Sequence, residues 1–488
     1  MTGERVLVGD VNVATGHFIN GQRVGSATTF EDRSPLDWHV KLADVARGGA
    51  LEAQSAVTAA VSAFPAWAAL TPVERQVYLH RLADLIDANV ESIATVECLD
   101  MAMLLESLRL RVIGRGARNF RAYADLAVAY EPRRWDSNGT RNSVLRMPAG
   151  PTVVITPWNA PFMLSTWKCA PALAAGNTVV LKPAEWSPLS CSLLMDLVDE
   201  AGFPPGVFNM VQGLGDEVGA ALVSDPRVRR ISFTGSPETG RLIGVAAAKN
   251  LVPFTAELGG KGPFVVFADA DLDLSAQKAA LMYDDAGQIC LAGTRLLVQT
   301  SVRDEFLNKL TDATNRHVLG DSREPQTTVS PMIHPEHLAR VEGFVERSVA
   351  SGDTLVYGGH KLNDDGLWYL PTLIEPRSND AEIVQHEVFG PVLTLQTFDT
   401  EAEAIELANS TAYGLSAMVF TSDQAKADRF GQGVRAGTIW VNCFLVRDLT
   451  APFGGAGISG IGREGGDYAL DFYSDVKTYQ VKEDTTHG

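Results

Sequence analysis

Cysteine, positive charge and long apolar runs are all scarce in this chain of 488 residues. Five cysteines are scattered along the chain without a CxxC pair, a pattern that favours free thiols in a reducing compartment over a disulfide framework. No stretch of about 18 uncharged apolar residues is present, so we expect no transmembrane helix. The first residues lack the apolar core of a secretory signal, and we therefore expect a cytoplasmic location.

Charge and metal-binding patterns argue against two further classes of function. Lys and Arg number 41 against 59 Asp and Glu, and this net charge of −18 disfavours nucleic acid or an anionic membrane as the main partner. The HExxH motif is absent, and a single HxxH pair, His334 and His337, stands at a polar helix start. Two histidines do not fill the four positions of a structural zinc site, so we expect no metal ion.

The arrangement of apolar residues predicts an α/β protein. Apolar side chains at three- and four-residue spacing predict helices from Gly49 to Tyr130, one of them capped by Thr71 with Pro72 in its first turn. From about residue 148, short Val- and Ile-rich runs alternate with helical stretches as far as residue 249, and again from about 263 to 439. This alternation predicts two doubly wound parallel sheets, in two domains that meet at a cleft.

Two polar segments fit neither series. Residues 131–147 contain a turn at Asn138 and Gly139, and residues 476–482 have the composition of one more strand. We expect neither segment to form a sheet of its own. Both are predicted to extend the sheet of a partner copy, giving a dimer or a dimer of dimers.

Three glycine-rich segments are candidates for a phosphate-binding loop. Residues 460–465 satisfy GxGxxG but follow a glycine-rich loop, and residues 213–219 follow a strand with one residue too many before the last glycine. Residues 233–240 follow a predicted strand and start a helix, whose backbone amides can receive a pyrophosphate. The pattern alone fits a plain strand–helix turn equally well in each case.

Three polar residues are candidates for catalysis, each with a structural alternative. Cys290 follows a Gly-Gln pair near a predicted helix start, which favours thiolate character, although most free cysteines are buried small apolar residues. Glu257 ends an apolar run and precedes two glycines, so another group can approach it closely; the alternative is a solvated strand-end glutamate. Asn159 follows a buried strand, where its amide can donate to a developing oxyanion or simply form a turn.

Seven motifs, in order and at compatible spacing, give the chain a resemblance to the aldehyde dehydrogenase superfamily over nearly its whole length. They are TPWNAPF (156–162), KPAEWSP (182–188), FTGSPETG (233–240), ELGGK (257–261), GQIC (287–290), EVFGPV (387–392) and PFGG (452–455). The resemblance implies an α/β fold with two doubly wound parallel-sheet domains plus a small β oligomerisation arm. It implies an NAD-binding domain at 1–126 and 148–256, a catalytic domain at 257–470, and the arm at 127–147 and 471–488.

The resemblance also implies covalent catalysis, in which an aldehyde is oxidised to a carboxylic acid through a thioester. Cys290 is similar to the family's nucleophile, and Glu257 to the general base that activates the deacylating water. Asn159 and the backbone N–H of Cys290 resemble the oxyanion hole. Lys168 and Glu464 resemble polar partners behind the base, or form an ordinary buried ion pair. The presence of Glu257 disfavours acyl transfer to coenzyme A.

The cofactor that the resemblance implies is NAD. Lys182 and Glu185 resemble the pair that binds the adenosine ribose hydroxyls, and a glutamate there repels the 2′-phosphate of NADP. Glu387 and Phe389 are similar to contacts of the nicotinamide ribose and ring. The other residues expected at the cofactor are Thr156, Pro157, Trp158, Phe233, Gly235, Ser236 and Leu258.

The segment 446–455 resembles the branch that oxidises 2-hydroxymuconic, 2-aminomuconic and 5-carboxymethyl-2-hydroxymuconic semialdehydes. This implies that Arg447, assisted by Arg115, holds a substrate carboxylate, since two guanidinium groups can bind it bidentately. The alternatives are that Arg447 caps a loop through Asp448 and that Arg115 is a solvated side chain. The residues expected in the pocket wall, or as plain core, are Met163, Trp167 and Phe453.

Two other functions stay open. A broad-range or betaine-type aldehyde dehydrogenase is the alternative within the family, and a non-catalytic NAD-binding protein is the alternative outside it. The chain departs from the family pattern at Asp285, where Asn is common, and at His386, where an acid is commoner. Neither departure removes a catalytic group, although Asp285 is expected to alter the charge near Cys290.

Overall fold

The computed structural model describes residues 4–363 and 366–482. Residues 1–3 of the predicted NAD-binding domain, 364–365 of the predicted catalytic domain and 483–488 of the predicted arm lie outside the described residues. The strands are β1 (Arg5–Val8), β2 (Val11–Ala14), β3 (His17–Ile19), β4 (Gln22–Val24), β5 (Thr29–Arg33), β6 (Lys41–Ala46), β7 (Arg134–Ser137), β8 (Thr140–Pro148), β9 (Thr152–Ile155), β10 (Val179–Lys182), β11 (Phe208–Met210), β12 (Arg230–Thr234), β13 (Phe254–Glu257), β14 (Pro263–Val266), β15 (Arg295–Gln299), β16 (Thr354–Tyr357), β17 (Thr372–Glu375), β18 (Val392–Phe398), β19 (Ser416–Phe420), β20 (Thr438–Val441), β21 (Gly460–Ile461) and β22 (Ser474–Lys482).

The helices occupy the predicted stretches between these strands. They are α1 (Ala50–Ala69), α2 (Pro72–Ala88), α3 (Val90–Met101), α4 (Leu105–Ser107), α5 (Ile113–Ala129), α6 (Pro161–Ala174), α7 (Leu189–Glu200), α8 (Ala220–Ser224), α9 (Pro237–Lys249), α10 (Leu272–Ala280), α11 (Arg303–Thr314), α12 (Pro335–Ala350), α13 (Glu382–Gln385), α14 (Glu401–Ala408), α15 (Gln424–Gly433) and α16 (Gly466–Phe472). Shorter 3-10 or π turns lie at Leu108–Val112, Gly215–Gly219, Leu281–Gly287, Thr300–Val302 and Gly457–Ser459.

The predicted helical region between residues 49 and 130 is confirmed. The start of α2 shows why the sequence folds this way: Thr71 accepts a hydrogen bond from the Glu74 backbone N–H, and the Glu74 carboxylate accepts one from the Thr71 N–H at 2.7 Å. This reciprocal pair satisfies backbone donors that a helix start otherwise leaves free. The predicted cap at Thr71 is therefore confirmed.

The first sheet has eight strands in the order β21-β13-β12-β9-β10-β11-β3-β4. Its five central strands are parallel, as predicted. The sheet also has antiparallel pairings at its edges, formed by β21 and the β3–β4 hairpin. The hairpin turns over Asn20 and Gly21, whose φ angles of 55° and 74° suit a tight two-residue reversal. The strand order reverses between β9 and β12, the place where doubly wound sheets bind ligands.

The second sheet has seven strands in the order β16-β17-β18-β15-β14-β19-β20. Neighbouring strands are parallel except at the edge, where β16 and β17 run antiparallel. The central strands β14 and β19 are buried along their whole length, which explains why their sequences are continuous apolar runs. The predicted second series of strands and helices is confirmed.

A third, three-stranded sheet has the order β22-β8-β7. Its long pairing runs antiparallel from Ser474 opposite Pro148 to Lys482 opposite Thr140. The expectation that neither polar segment belongs to a sheet of its own is therefore wrong, because the two segments pair with each other. This pairing could not be predicted from either segment alone, because each segment supplies only part of the sheet.

Two absences concern the described residues only. No single helix there is long and apolar enough to cross a membrane, and α1 and α2 pass that test only when taken together across a bend of 119°. Within the same residues, no three His, Cys, Asp or Glu side chains cluster closely enough to hold a metal ion.

Candidate active site

The loops after β9, β12 and β13 bring the first candidate residues to one edge of the first sheet. Asn159 lies four residues beyond β9, Gly235 directly follows β12, and Glu257 is the last residue of β13. Because β9, β12 and β13 are adjacent and parallel, their carboxyl ends meet at this edge. The edge includes the reversal of strand order, so it opens into the crevice where such sheets bind ligands.

Cys290 lies in a turn after the 3-10 segment Leu281–Gly287 and before β15. The expectation of a nearby helix start is wrong, because the Gly-Gln pair ends a helical segment rather than beginning one. Gly287 has a φ of 67°, and a Cβ on it would lie 2.3 Å from the main-chain oxygen of Gly390. Only glycine permits this approach, so the turn that presents Cys290 depends on it.

The Cys290 side chain is partly exposed, whereas Cys98, Cys169 and Cys191 are buried. Burial raises the pKa of the Cys290 thiol to about 12, and the carboxylates of Glu387 and Glu257 add to this rise, so the expectation that the surroundings favour the thiolate is wrong. The Arg447 guanidinium and a backbone hydrogen bond act in the opposite direction. The simple alternative of a fully buried structural cysteine is wrong for Cys290.

Asn159 connects the first sheet to the turn that holds Cys290. Its side-chain nitrogen donates to the main-chain oxygen of Gln288 at 2.9 Å. Gln288 is held in turn, because its side-chain amide donates to the Asp285 oxygen at 3.1 Å and accepts from the Ile333 N–H at 3.0 Å. The amide of Asn159 is therefore fixed beside the backbone that leads to Cys290.

Glu257 is buried, with 5% of its surface exposed, so the alternative of a solvated glutamate is wrong. Neither carboxylate oxygen has a hydrogen-bond partner within residues 4–363 and 366–482. Burial raises the pKa of this carboxyl well above its usual range, Glu464 raises it further, and Lys168 lowers it. A buried carboxyl with a raised pKa and two free oxygens is suited to exchange a proton with water.

Lys168 and Glu464 form a buried ion pair with Nζ and Oε1 2.5 Å apart. The other Glu464 oxygen accepts from the Trp167 indole N–H at 2.6 Å, and Lys168 also donates to Ser232 at 3.1 Å. These hydrogen bonds satisfy the buried charges on both sides. The pair therefore fits both readings of the sequence, since it is a well-satisfied ion pair whose two charges also shift the pKa of Glu257.

Two carboxylates line the places where the resemblance expects a cofactor. Lys182, the last residue of β10, is buried and lies 2.7 Å from Glu185, whose side chain is 34% exposed. Glu387 accepts from the Gly260 N–H at 2.8 Å, and a Cβ on Gly259 would lie 2.0 Å from its other oxygen. Burial raises the pKa of Glu387 to about 7.

The segment 233–240 passes directly from β12 into α9. Ser236 caps this helix by accepting from the Thr239 N–H at 3.2 Å, and a Cβ on Gly235 would meet the Phe233 ring at 2.4 Å. Residues 460–465 instead begin with the two-residue β21, and residues 213–219 lead into the π turn Gly215–Gly219. Strand, turn and helix thus follow in the order of a phosphate loop at 233–240.

The remaining cofactor candidates lie in the loops that follow β9 and β13 or contact them. The Trp158 ring stands edge-on to the Phe389 ring, with centroids 5.3 Å apart. Pro157 is partly exposed, Thr156 is buried and shares a hydrogen bond with the Ser165 hydroxyl, and Leu258 is buried beneath α9.

The two arginines of the predicted substrate site share one aromatic ring. The guanidinium carbon of Arg447 lies 3.9 Å from the Phe453 ring centroid and 5.9 Å from that of Trp167. Arg115 lies over the same Trp167 ring at 5.7 Å. Within the described part of the chain, neither arginine has a carboxylate oxygen within 4.0 Å. Burial lowers the pKa of Arg115 to about 10, and the positive charge of Arg447 lowers it further.

The alternatives for these arginines do not hold. Asp448 accepts from the backbone N–H and the hydroxyl of Thr450, both at 2.8 Å, and does not fix Arg447. Arg115 is only partly exposed, unlike Arg118 on the same helix. Met163 is partly buried, as expected for either a pocket wall or the core.

A sequence model of the aldehyde dehydrogenase family matches residues 23–479. The chain belongs to the aldehyde dehydrogenase family. It is therefore an aldehyde-oxidising oxidoreductase, and the predicted fold class and family resemblance are both confirmed.

The similar proteins are named for different substrates. A 2-hydroxymuconic semialdehyde dehydrogenase of Pseudomonas sp. (strain CF600) is 41% identical, over 96% of this chain and 99% of the relative. A betaine aldehyde dehydrogenase of Cereibacter sphaeroides (strain ATCC 17029 / ATH 2.4.9) is 40% identical, over 88% of this chain and 89% of the relative. A solved P. syringae indole-3-acetaldehyde dehydrogenase mutant in complex with NAD+ and IAA is 36% identical with a TM-score of 0.95, covering 97% of this chain and 98% of that one.

The two departures from the family pattern have small local effects in this aldehyde dehydrogenase. Burial raises the pKa of Asp285 to about 6, and the positive charge of Arg111 acts in the opposite direction. The expected change of charge near Cys290 stays a prediction, and His386 is exposed.

Sequence reasoning missed three side chains that hold the site together. Gln288 fixes the turn that holds Cys290, and His337 and Arg340 of α12 contact the backbone of residues 387–389. The HxxH pair gave a signal for α12, but only metal binding was considered for it.

Proposed function

We propose that this enzyme oxidises a carboxylate-bearing, muconic-type semialdehyde with NAD+ and releases the acid by hydrolysis of a thioester on Cys290. The single observation that carries the substrate class is the pair Arg447 and Arg115, which share the Trp167 ring and have no carboxylate partner within the described residues. A substrate carboxylate supplies the missing charge.

The domain boundaries of the sequence form part of this proposal. The NAD-binding domain (1–126 and 148–256) supplies β3, β4 and the central strands of the first sheet, and the catalytic domain (257–470) contains the whole second sheet. The β21 strand is an exception, because it lies in the catalytic domain by sequence and pairs with β13 of the first sheet. Five free cysteines support a reducing, cytoplasmic location.

The residues of the crevice fit NAD+. The partly exposed carboxylate of Glu185 beside Lys182 suits a pair of ribose hydroxyls and repels a 2′-phosphate. The amides at the start of α9, beyond Gly235 and Ser236, suit the pyrophosphate. Gly259 leaves room for the Glu387 carboxylate, which faces the nicotinamide ribose in this proposal. When bound, NAD+ supplies the hydride acceptor.

The side chains then divide the chemistry between them. The Cys290 thiol gives up its proton to solvent, the resulting thiolate adds to the aldehyde carbon, and the carbonyl oxygen takes the negative charge. Asn159 and the Cys290 N–H donate to that oxygen, and one such donor lowers the barrier by about 3–4 kcal/mol. After oxidation leaves a thioester, Glu257 takes a proton from water, hydroxide attacks the thioester carbon, and the Cys290 thiolate leaves as the acid forms.

A broad-range or betaine-type enzyme is the second candidate, because a betaine aldehyde dehydrogenase is nearly as similar in sequence. The charges at the site oppose it. A quaternary ammonium group would approach two guanidinium groups, and like charges in a partly buried site repel each other strongly.

The test is a comparison of kcat/KM for muconic semialdehydes, betaine aldehyde and neutral aldehydes of similar size. We expect the carboxylated aldehydes to be preferred and Arg447→Ala to lower their kcat/KM about 10- to 100-fold, as loss of a charge-assisted contact does. Arg118→Ala, an exposed arginine near Arg115, is the matched control. Equal loss for neutral and carboxylated aldehydes in Arg447→Ala would contradict the substrate class.

A further inference from the structure

The HxxH pair at the start of α12 has a role that metal binding does not explain. His334 caps the helix, and its Nδ1 accepts from the Glu336 N–H at 3.2 Å. His337 donates from Nε2 to the main-chain oxygen of Phe389 at 2.7 Å. One ring nitrogen of each imidazole therefore forms a hydrogen bond with the backbone.

Each histidine also contacts a tryptophan that follows a strand of the first sheet. The His334 ring is stacked on Trp186 with centroids 4.5 Å apart and planes 5° from parallel. The His337 ring lies edge-on to Trp158 at 5.3 Å. The loops that hold these tryptophans, after β9 and β10, are also tied together, because Ser187 donates to the Trp158 oxygen at 2.9 Å.

The loop on the other side of the crevice is held by the same helix face. Arg340 lies one turn beyond His337 and donates to the main-chain oxygens of Glu387 and Val388, at 2.8 Å and 2.5 Å. Because His337 donates to the next carbonyl, that of Phe389, hydrogen bonds from α12 hold three consecutive carbonyl groups. Phe389 needs this support, since its φ of 58° is unfavourable for a residue with a side chain.

We propose that His334 and His337 form a clasp between the loops of the two sheets, and that His337 is a positioning residue that fixes Phe389 against Trp158 for NAD+ binding. This inference rests on the proposed function, in which Phe389 faces the nicotinamide. The His337 N–H is the decisive element, because a residue that only filled space would not hold the Phe389 carbonyl.

The test compares His337→Leu, which removes the donor, with His337→Gln, which keeps an N–H donor. We expect His337→Leu to raise the KM and the Kd for NAD+ about tenfold, the effect of one lost buried hydrogen bond, while the KM for the aldehyde stays within about twofold. His337→Gln should restore most of the NAD+ affinity. Trp158 lies beside the clasp, so quenching of tryptophan fluorescence can report NAD+ binding directly. His360→Leu, at an exposed histidine, is the control.

Each other outcome overturns the inference. Equal effects of Leu and Gln would reduce His337 to packing, and unchanged NAD+ binding in His337→Leu would remove it from the site. Bound zinc in the wild type that is lost in His337→Leu would show that the two histidines bind a metal ion instead.

If His337→Leu does not fold, His337→Glu replaces it in the test. A glutamate places a hydrogen-bond acceptor against the Phe389 carbonyl, so His337→Glu must weaken NAD+ binding while His337→Gln does not. A wild type that reduces no NAD+ with any aldehyde overturns the proposed function as well, whereas NAD+ turnover with insensitive variants overturns the clasp alone.

Discussion

The side-chain nitrogen of Asn159 donates to the main-chain oxygen of Gln288 at 2.9 Å, two residues before Cys290. A carboxamide nitrogen carries two hydrogens, so one N–H remains for another acceptor. The hydrogen bond to Gln288 fixes the direction of that second N–H. In the proposed function, this second N–H donates to the oxygen of a tetrahedral adduct on Cys290.

We expect Asn159→Ala to lower kcat about 10²- to 10³-fold, the usual cost of removing one preorganised oxyanion donor. Since the proposed role of Asn159 is to donate to the substrate oxygen and not to the cofactor, the Kd for NAD+ should change little. Stopped-flow measurement of the first turnover of NADH separates the two quantities. Asn89→Ala, at the end of α2 and distant from Asn159 in the sequence, is the control. An undiminished first turnover in Asn159→Ala would contradict the assignment.

Removal of the Glu257 carboxylate should separate the two halves of the reaction. We expect Glu257→Gln to give one burst of NADH per active site and then to stall, because thioester formation needs no base at this position and hydrolysis does. Mass spectrometry of the stalled protein should find the acyl group on Cys290. Cys290→Ala is the matched variant, with NAD+ binding but no burst. Steady turnover in Glu257→Gln at the wild-type rate would refute the role of the base.

The strand and helix alternation could be predicted because its signals are local. Buried strands such as β9 and β14 are short apolar runs, and Thr71 satisfies a helix start within four residues. The positions of Asn159 and Glu257 followed equally well, since both stand where an apolar run ends. Polar residues at the carboxyl ends of parallel strands are brought together by the fold class itself.

The features that could not be predicted from the sequence depend on contacts between distant parts of the chain. The turn before Cys290 is shaped by the approach of Gly390 to Gly287, which no local pattern records. The third sheet pairs Pro148 with Ser474, and each segment alone has the composition of an isolated polar strand. The role of His337 could not be predicted, because its partner, the Phe389 carbonyl, lies 52 residues away along the chain.

The ion pair behind the base predicts two opposite shifts in pH dependence. Glu257 must be ionised to take a proton, and its pKa is raised by burial and by Glu464 but lowered by Lys168, so hydrolysis should rise with pH through that pKa. Glu464→Gln removes a raising charge and should move the rise to lower pH. Lys168→Met removes a lowering charge and should move it to higher pH. Single-turnover thioester hydrolysis measured against pH gives both profiles.

Stability controls accompany this pair of variants. Lys168→Met leaves the buried Glu464 carboxylate without its cation and should cost about 3–5 kcal/mol of the free energy of unfolding. The pH profile is informative only where urea unfolding shows the variant to be folded. Glu346→Gln, at an exposed carboxylate, should leave the profile unchanged. Shifts in the same direction for Glu464→Gln and Lys168→Met would contradict the electrostatic account.

The third sheet predicts self-association. Its edge strand β22 exposes nearly every residue, and Val476 and Tyr479 each leave 56% of their surface exposed. An open strand edge with exposed apolar side chains is prone to pair with another chain, so a second copy is expected to cover it. We expect light scattering to give a mass of two or four chains.

Replacing both Val476 and Tyr479 by lysine should give single chains at the same concentration, because charge on an edge strand opposes pairing. Leu51→Lys, at a residue 75% exposed on α1, should leave the mass unchanged. A monomeric wild type, or an unaltered mass for the double lysine variant, would remove the arm from assembly.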